Sequence, residues 1–232
     1  MLSRGIAAFA LDDDDIGHTT LIEHLIETGS SHPAKEKTRP IPYARWRFVE
    51  KKLQRLLALR IIAAPDSGLC PYASPIVALP NEDGGFRMCV DYRHLNKQTM
   101  KDQYSLPRID LNSAHCFLSD DLLMGYQQIT VCIEHRPKTA LLTQKHHFVF
   151  KVMPFGLCNA SATFQRLMDG IVREHIEEDI APYMYELLID AFQFRAILPV
   201  FNMTQGQVID AGINCRPASA KSFLQIYIIL DM

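Results

Sequence analysis

The sequence predicts an α+β fold, on two periodicities and one absence. Apolar residues alternate with polar ones at 86–92, 129–133 and 148–152, the period of a strand with one buried face. They recur every three to four residues at 46–57 and 164–172, the period of a helix with one buried stripe. Strands and helices do not follow one another as regular crossover units, so a doubly wound parallel sheet is not expected. At 232 residues the chain is long enough for one or two domains with a sizeable core.

Composition narrows the class. With 48% hydrophobic and 22% charged residues and a mean hydropathy of -0.02, the chain is too apolar for wholesale disorder. Collagen, coiled coil and disulfide scaffold are excluded. The 24 basic and 26 acidic residues give a net charge of -2, which excludes a uniformly cationic nucleic-acid binder. The six cysteines (Cys70, Cys89, Cys116, Cys132, Cys158 and Cys215) show no paired spacing, so neither a zinc site nor a disulfide framework is expected, and they read as reduced thiols, mostly in the core. Met1–Leu11 carries a short apolar run that meets Asp12–Asp15 at once, a poor signal peptide. No run approaches the roughly 20 apolar residues that span a bilayer. An intracellular, cytoplasmic protein without membrane partners is the expectation.

Residues 1–45 read as an extended, polar N-terminal arm, with the turn-rich stretch Gly29–Pro33. From Lys35 to Arg60 nine bases face only Glu36 and Glu50, a local charge of +7. That stripe is either a solvated helix face or a phosphate-attracting surface. Within it Trp46, Val49, Leu53, Leu56 and Leu57 predict a helix over about 43–59. Asn81–Gly85 is a hairpin turn signal ahead of the strand Phe86–Tyr92, whose alternation sets Arg87 and Asp91 opposite the apolar face. Ile129, Val131 and Ile133 predict a second strand, and Phe148, Phe150 and Val152 a third. After the loop Pro154-Phe155-Gly156, Asn159 or Ser161 can cap a helix that buries Phe164, Leu167, Met168, Ile171 and Val172. In the tail, 191–232, Pro199, Gly206, Gly212 and Pro217 break apolar pieces, and Phe223–Leu230 reads as either a strand or a buried helical turn.

Two segments concentrate the chemistry. In Phe117–Tyr126 the pair Asp120-Asp121 ends an apolar run and is followed by Gly125-Tyr126; acids at a strand end can reach a cleft, and hard oxygen ligands suit Mg²⁺. Taken alone this is a weak signal, because an Asp-Asp pair is usually a solvated turn. In Val152–Asp169 a glycine loop runs into a helix and could approach a phosphate or a base. With Tyr72–Val77, Phe86–Asn96 and Tyr104–Asp110, in this order, these segments resemble the reverse transcriptase of gypsy-type long-terminal-repeat retrotransposons from about Phe9 to Ile189.

The resemblance implies the fingers and palm of a right-hand polymerase over 46–190, with no counterpart for thumb, connection or RNase H and no match for 191–232. It implies that Asp121 is the first catalytic aspartate and a metal ligand, with Asp120 where the family usually has an apolar residue. Leu122 would offer its carbonyl to a metal. Tyr126, after Gly125, would be the aromatic gate against a ribose 2′-hydroxyl; the alternative is a core aromatic. Arg87 would contact the incoming triphosphate, or else form a surface ion pair. Phe155 and Gly156 would lie in the loop near nucleotide and template. The implied partners are an RNA or DNA template–primer and deoxynucleoside triphosphates, and the implied cofactor is a pair of Mg²⁺ ions about 3.5–4 Å apart that activate the primer hydroxyl and stabilise pyrophosphate.

Two dications need carboxylates from two separated strands. The family's second source is a Tyr-x-Asp-Asp hairpin, which here reads Tyr183-Met184-Tyr185-Glu186. Glu186 keeps an anion and is the second expected catalytic and metal-binding residue, but Tyr185 replaces a direct ligand with a phenol that is neutral at pH 7. Impaired polymerisation is the expectation, and Asn81-Glu82, where lysines are common, weakens triphosphate attraction further. The rival readings are a nucleic-acid-binding remnant without chemistry and the product of a degenerate reading frame. Asp66-Ser67-Gly68 has the shape of an aspartic-protease motif but follows Pro65 within the polymerase-like region, and reads better as a turn. Asn159-Ala160-Ser161 and Asn202-Met203-Thr204 fit the glycosylation pattern and mean nothing without secretion.

Overall fold

Backbone register settles most of the architecture. The computed structural model describes residues 10, 12, 14–66, 68–81, 84–104, 116–172, 180–183, 186–191, 194–215 and 224–228; at 116–121, 180–198 and 224–228 the description is of backbone and register. The expected positions Ser67, Glu82, Asp83, 105–110 and Tyr185 lie outside the described residues. Contacts gather the chain into two discontinuous units: Met1–Ile22, Gln103–Ile129 and Ser161–Met232 form one, Glu23–Asp102 and Thr130–Ala160 the other. The contiguous division at 45 and 190 drawn from the sequence does not follow this interleaving, which local patterns do not encode.

In the second unit a five-stranded sheet runs in the order β2-β8-β7-β3-β4. Its strands are β2 (Ile62–Ala63), β3 (Ser74–Pro80), β4 (Phe86–Val90), β7 (Leu141–Leu142) and β8 (His147–Phe150). The expected hairpin joins β3 to β4 with Pro80 opposite Phe86, and Gly84 takes the left-handed φ of +78° that its turn needs. Helix α1 (Tyr43–Ala58) matches the expected helix and buries Val49, Leu53 and Leu56. Leu57, expected in the same stripe, is 38% exposed, because it lies about 100° around the helix from Leu56. Past Leu59, Arg60 adopts φ +56°, its N–H donates to the Leu57 carbonyl and that of Ile61 to Leu56. This is the paired C-terminal closure usually built on glycine.

The alternation expected to Tyr92 stops at Val90. Tyr92 instead precedes α2 (Arg93–Gln98) and is buried, its hydroxyl donating to the Thr139 carbonyl at 2.8 Å. Ile133, expected in a strand, opens a 3₁₀ segment Ile133–Thr139 and is 65% exposed. The strand β6 is only Ile129–Val131, since Pro137 and the turn around Cys132 bend the chain away. Within the expected arm, β1 (Thr19–His24) pairs with β6, and His24, Ile26 and Ala34 are buried.

The first unit holds a four-stranded sheet in the order β11-β5-β10-β9: β5 (Cys116–Asp121), β9 (Ile180–Tyr183), β10 (Glu186–Ala191) and β11 (Leu224–Ile228). Helix α3 (Ala160–Val172) buries all five residues expected of it. Neither expected cap acts as one. Asn159 Oδ1 accepts from the Asp102 N–H and its Nδ2 donates to the Met100 carbonyl, while Ser161 lies inside the helix. The tail is more regular than its breakers suggest: α4 (Phe194–Asp210) runs through Pro199 and Gly206 and packs on β10. Pro199, the sixth residue of this helix, removes one ladder bond, that to residue 195, and the helix continues to the buried Thr204, Gln205 and Val208. β11, left open between strand and helix by the sequence, is a strand along β5, Leu224 opposite Asp120. Of the cysteines, Cys215 is buried, whereas Cys70, Cys89, Cys132 and Cys158 are half-buried rather than core, and all five are free. Among the described residues no helix is long and apolar enough to cross a membrane.

Candidate active site

The antiparallel pairing of β10 with β5 sets Glu186 directly opposite Asp121 and Leu187 opposite Asp120. Directly opposed positions share a face of the sheet, with backbones roughly 4.5–5.5 Å apart. The two carboxylate positions singled out in the sequence thus come together, one from each strand, while Asp120 falls on the alternate face. The same Glu186 is opposite Tyr183 on β9; Met184 and Tyr185, between them in sequence, lie outside the described residues. Asp121 and Glu186 offer hard oxygen donors suited to Mg²⁺. Among the described residues no group of three or more His, Cys, Asp or Glu side chains is placed to hold a metal ion.

Beyond Asp121 the backbone is held tightly. Leu122 is buried and bridged to Cys215, through the Leu123 N–H donating to the Asn214 carbonyl at 3.2 Å. Met124 then takes a left-handed φ of +49°, unusual outside glycine, and Gly125 and Tyr126 open a buried 3₁₀ turn that runs to Gln128. Tyr126 is 6% exposed, its ring centroid 5.5 Å from that of Phe164, which is the packing expected of a core aromatic.

Sequence reasoning missed the residues that support this turn. Gln128 Nε2 donates to the carbonyls of Leu123 at 2.6 Å and Asn214 at 2.8 Å, and its Oε1 accepts from the Asn214 N–H at 2.7 Å. Asn214 Nδ2 in turn donates to the Asp15 carbonyl. Gly17 threads this junction: a Cβ there would sit 2.3 Å from Gln128 Oε1 and 2.6 Å from the Asn214 nitrogen. The one available signal was the amide pair Gln127-Gln128, set between Tyr126 and Ile129.

The remaining expected residues belong to the second unit. Arg87 is exposed on β4 opposite Leu79. Phe155 is 51% exposed. Gly156 has φ +95°, and its carbonyl accepts from Asn96 Nδ2 at 2.7 Å, while Asn96 Oδ1 accepts from the Cys158 N–H. The 154–156 loop is thereby tied to α2. Asp91, at the end of β4, accepts from Arg93 and Arg39 at 2.6–2.8 Å; these bonds, Arg93 foremost, hold its carboxyl at about 2.

Comparison with known proteins gives the following. The family described as reverse transcriptase (RNA-dependent DNA polymerase) matches residues 79–195. An RNA-directed DNA polymerase homolog of Oenothera berteroana is 41% identical over 108 residues, 44% of this chain and 76% of that protein. The retrovirus-related Pol polyprotein from transposon gypsy of Drosophila melanogaster is 31% identical over 193 residues, 78% of this chain and 18% of the polyprotein. That from transposon 412 is 26% identical over 234 residues, 96% of this chain and 19% of the polyprotein. The chain therefore spans about a fifth of the length of the Pol polyproteins it matches. The 43 residues after Ile189 are under a fifth of this chain, so a match over 96% runs into the tail, and the likeness does not end at Ile189 as the motifs alone suggested. The foamy viral protease–reverse transcriptase in complex with an RNA/DNA hybrid superposes with a TM-score of 0.82 at 18% identity, over 93% of this chain and 29% of that one. The fold is that of reverse transcriptase fingers and palm.

Proposed function

Because the chain belongs to the reverse transcriptase (RNA-dependent DNA polymerase) family, as a reverse transcriptase domain of the retrotransposon Pol type, we propose that Asp121 and Glu186 form its ancestral nucleotidyl-transfer centre and that this centre is impaired. The observation that carries the reading is the register that sets these two positions opposite each other. An RNA or DNA template–primer and deoxynucleoside triphosphates are its substrates. Arg87 would bind the triphosphate, Leu122 would lend a carbonyl to the metal, Tyr126, after Gly125, would be the aromatic gate against a ribose 2′-hydroxyl, and Phe155 and Gly156 would border nucleotide and template. Mg²⁺, when bound, would supply the Lewis acid that activates the primer hydroxyl and stabilises pyrophosphate.

The donor set fits one divalent ion better than two. Asp121 and Glu186 contribute a carboxylate each, and the hairpin residue beside Glu186 is a tyrosine, neutral at pH 7. Loss of one anionic ligand from a two-metal centre removes several kcal/mol of transition-state stabilisation, a rate loss on the order of a thousandfold or more. Primer extension on a primed RNA template in Mg²⁺, with folding verified by a cooperative thermal transition, tests this. The expected result is no extension above background at high protein concentration; robust complementary-DNA synthesis by the unaltered chain contradicts it.

A further inference from the structure

We infer that Asn96 and Asn159 are a reciprocal pair of positioning residues: their side-chain amides fasten the loop at 154–159 to α2 and the segment that leaves it, and so fix where the exposed Phe155 stands. The inference rests on the reading, proposed above, that Phe155 borders nucleotide and template. Each amide spends both of its ends on backbone of the other segment. From α2, Asn96 Nδ2 donates to the Gly156 carbonyl at 2.7 Å, and Oδ1 accepts from the Cys158 N–H at 3.0 Å. From the loop, Asn159 Oδ1 accepts from the Asp102 N–H at 3.1 Å, and Nδ2 donates to the Met100 carbonyl at 2.7 Å. The four bonds run in both directions between stretches 57 to 62 residues apart in sequence. Asn96, Thr99, Leu157, Cys158 and Asn159 line one small recess, the contact face of this joint.

Exposed loops ordinarily fray, because few buried contacts hold them. Here the backbone just past Phe155 is held from two sides. Gly156, at φ +95°, lets the chain lie close over the end of β4: a Cβ there would sit 3.5 Å from Tyr92 Cδ2 and 3.7 Å from the Val90 carbonyl oxygen. Tyr92 is itself pinned through its hydroxyl to the Thr139 carbonyl, and Val90 ends the strand that carries Arg87. On the far side, the Met100 N–H donates to the Glu27 carbonyl at 2.8 Å, which anchors the segment that Asn159 grips. Arg87 and Phe155 therefore stand on one joined piece of the second unit, with α2 between them. An aromatic that is exposed yet set on a fixed backbone suits a contact residue, since ordering it in advance lowers the entropy lost on binding.

Hydrogen–deuterium exchange of the whole chain, resolved at single amides, tests the positioning without any need for catalysis. Asn96→Ala should speed exchange at Cys158 roughly five- to tenfold, the loss of one hydrogen bond. It should leave Asp91 unchanged, whose N–H donates to the Pro75 carbonyl at 2.9 Å. Asn96→Asp keeps an acceptor for the Cys158 N–H and should restore its protection, and Asn159→Ala should free the Asp102 amide to the same extent. Lys97→Ala, at an exposed position of α2, should alter none of these. The consequence for nucleotide is read in the chain carrying Tyr185→Asp with Glu186→Asp. There, adding Asn96→Ala should raise the KM for deoxynucleoside triphosphate about tenfold and hold kcat within about twofold. Three results overturn the inference: Cys158 exchange unaltered by Asn96→Ala, Cys158 and Asp91 accelerated together, which marks a general loss of stability, or a loosened loop with an unchanged KM. If the chain with both aspartates makes no product at all, the polymerase reading fails, and exchange at Cys158 and Asp102 alone decides whether the two asparagines hold the loop.

Discussion

Two hairpins carry residues implicated in chemistry, and they do so differently. The β3–β4 hairpin closes from Pro80 to Phe86 and presents Arg87 through simple alternation, a property of its own strand. The β9–β10 hairpin closes from Tyr183 to Glu186 and derives its meaning from a third strand, β5, which brings Asp121 opposite Glu186. In the first, position and chemical identity are both legible locally. In the second, the register is set by pairing, while the residue type at 185 decides whether the arrangement can work. A preserved scaffold therefore does not imply preserved chemistry.

The register can be broken or sharpened directly. Asp121→Cys with Glu186→Cys should form a disulfide in high yield under mild oxidation, because opposed antiparallel positions fall within disulfide reach. Asp121→Cys with Leu187→Cys should not, since a one-residue offset changes face. Peptide mapping by mass spectrometry separates the two, and equal yields would show that the strands slip.

The second unit also has an acid-sensitive point. Burial, then the neighbouring His135, lowers His24 from the usual 6.5 to about 4, and His135 Nδ1 accepts from the Ile26 N–H at 3.0 Å. The folded state therefore holds His24 neutral while the unfolded chain protonates near 6.5. Stability is complete above pH 6.5, falls as pH drops from 6.5 through about 4, and loses nothing more from this group below that. The full effect is at most about 3 kcal/mol. Urea unfolding at pH 7 and pH 4.5 should show it, and His24→Gln should flatten the dependence.

The first unit should be more sensitive to added bulk than to acid. Gly17→Ala forces a methyl against Gln128 Oε1 and two backbone atoms and should cost about 1–3 kcal/mol, read as a lower melting temperature. A wild-type Tm would mean that the segment around Gly17 does not thread this junction. Arg60→Gly should act in the opposite sense, stabilising by about 1 kcal/mol, because Arg60 occupies the left-handed position after α1 that glycine adopts without penalty. The midpoint of urea unfolding checks the sign.

What was legible in the sequence was what neighbours along the chain decide. The α1 stripe at Val49, Leu53 and Leu56, the β3–β4 turn and the buried face of α3 all follow from spacing within a dozen residues. Ile133 was misplaced because the strand period carries no information about where the chain bends. The helix through Pro199 and the pairing of β11 with β5 involve partners distant in sequence, which local breakers do not reveal. Of the proposed site, Asp121 and Glu186 could be singled out because their motifs are short and ordered. Gln128, Asn214 and Gly17 were not, since their contacts join segments up to 199 residues apart.

The central proposal is that the palm scaffold keeps its register and that residue identity at 185 and 186 silences it. Side-by-side primer extension by the native chain and by Tyr185→Asp with Glu186→Asp, on the same primed RNA in Mg²⁺, tests this most directly. A gain on the order of a thousandfold in the double variant, abolished again by Asp121→Asn, is the predicted result. Equal activity in the native and double-variant chains, whether both active or both inert, would contradict it.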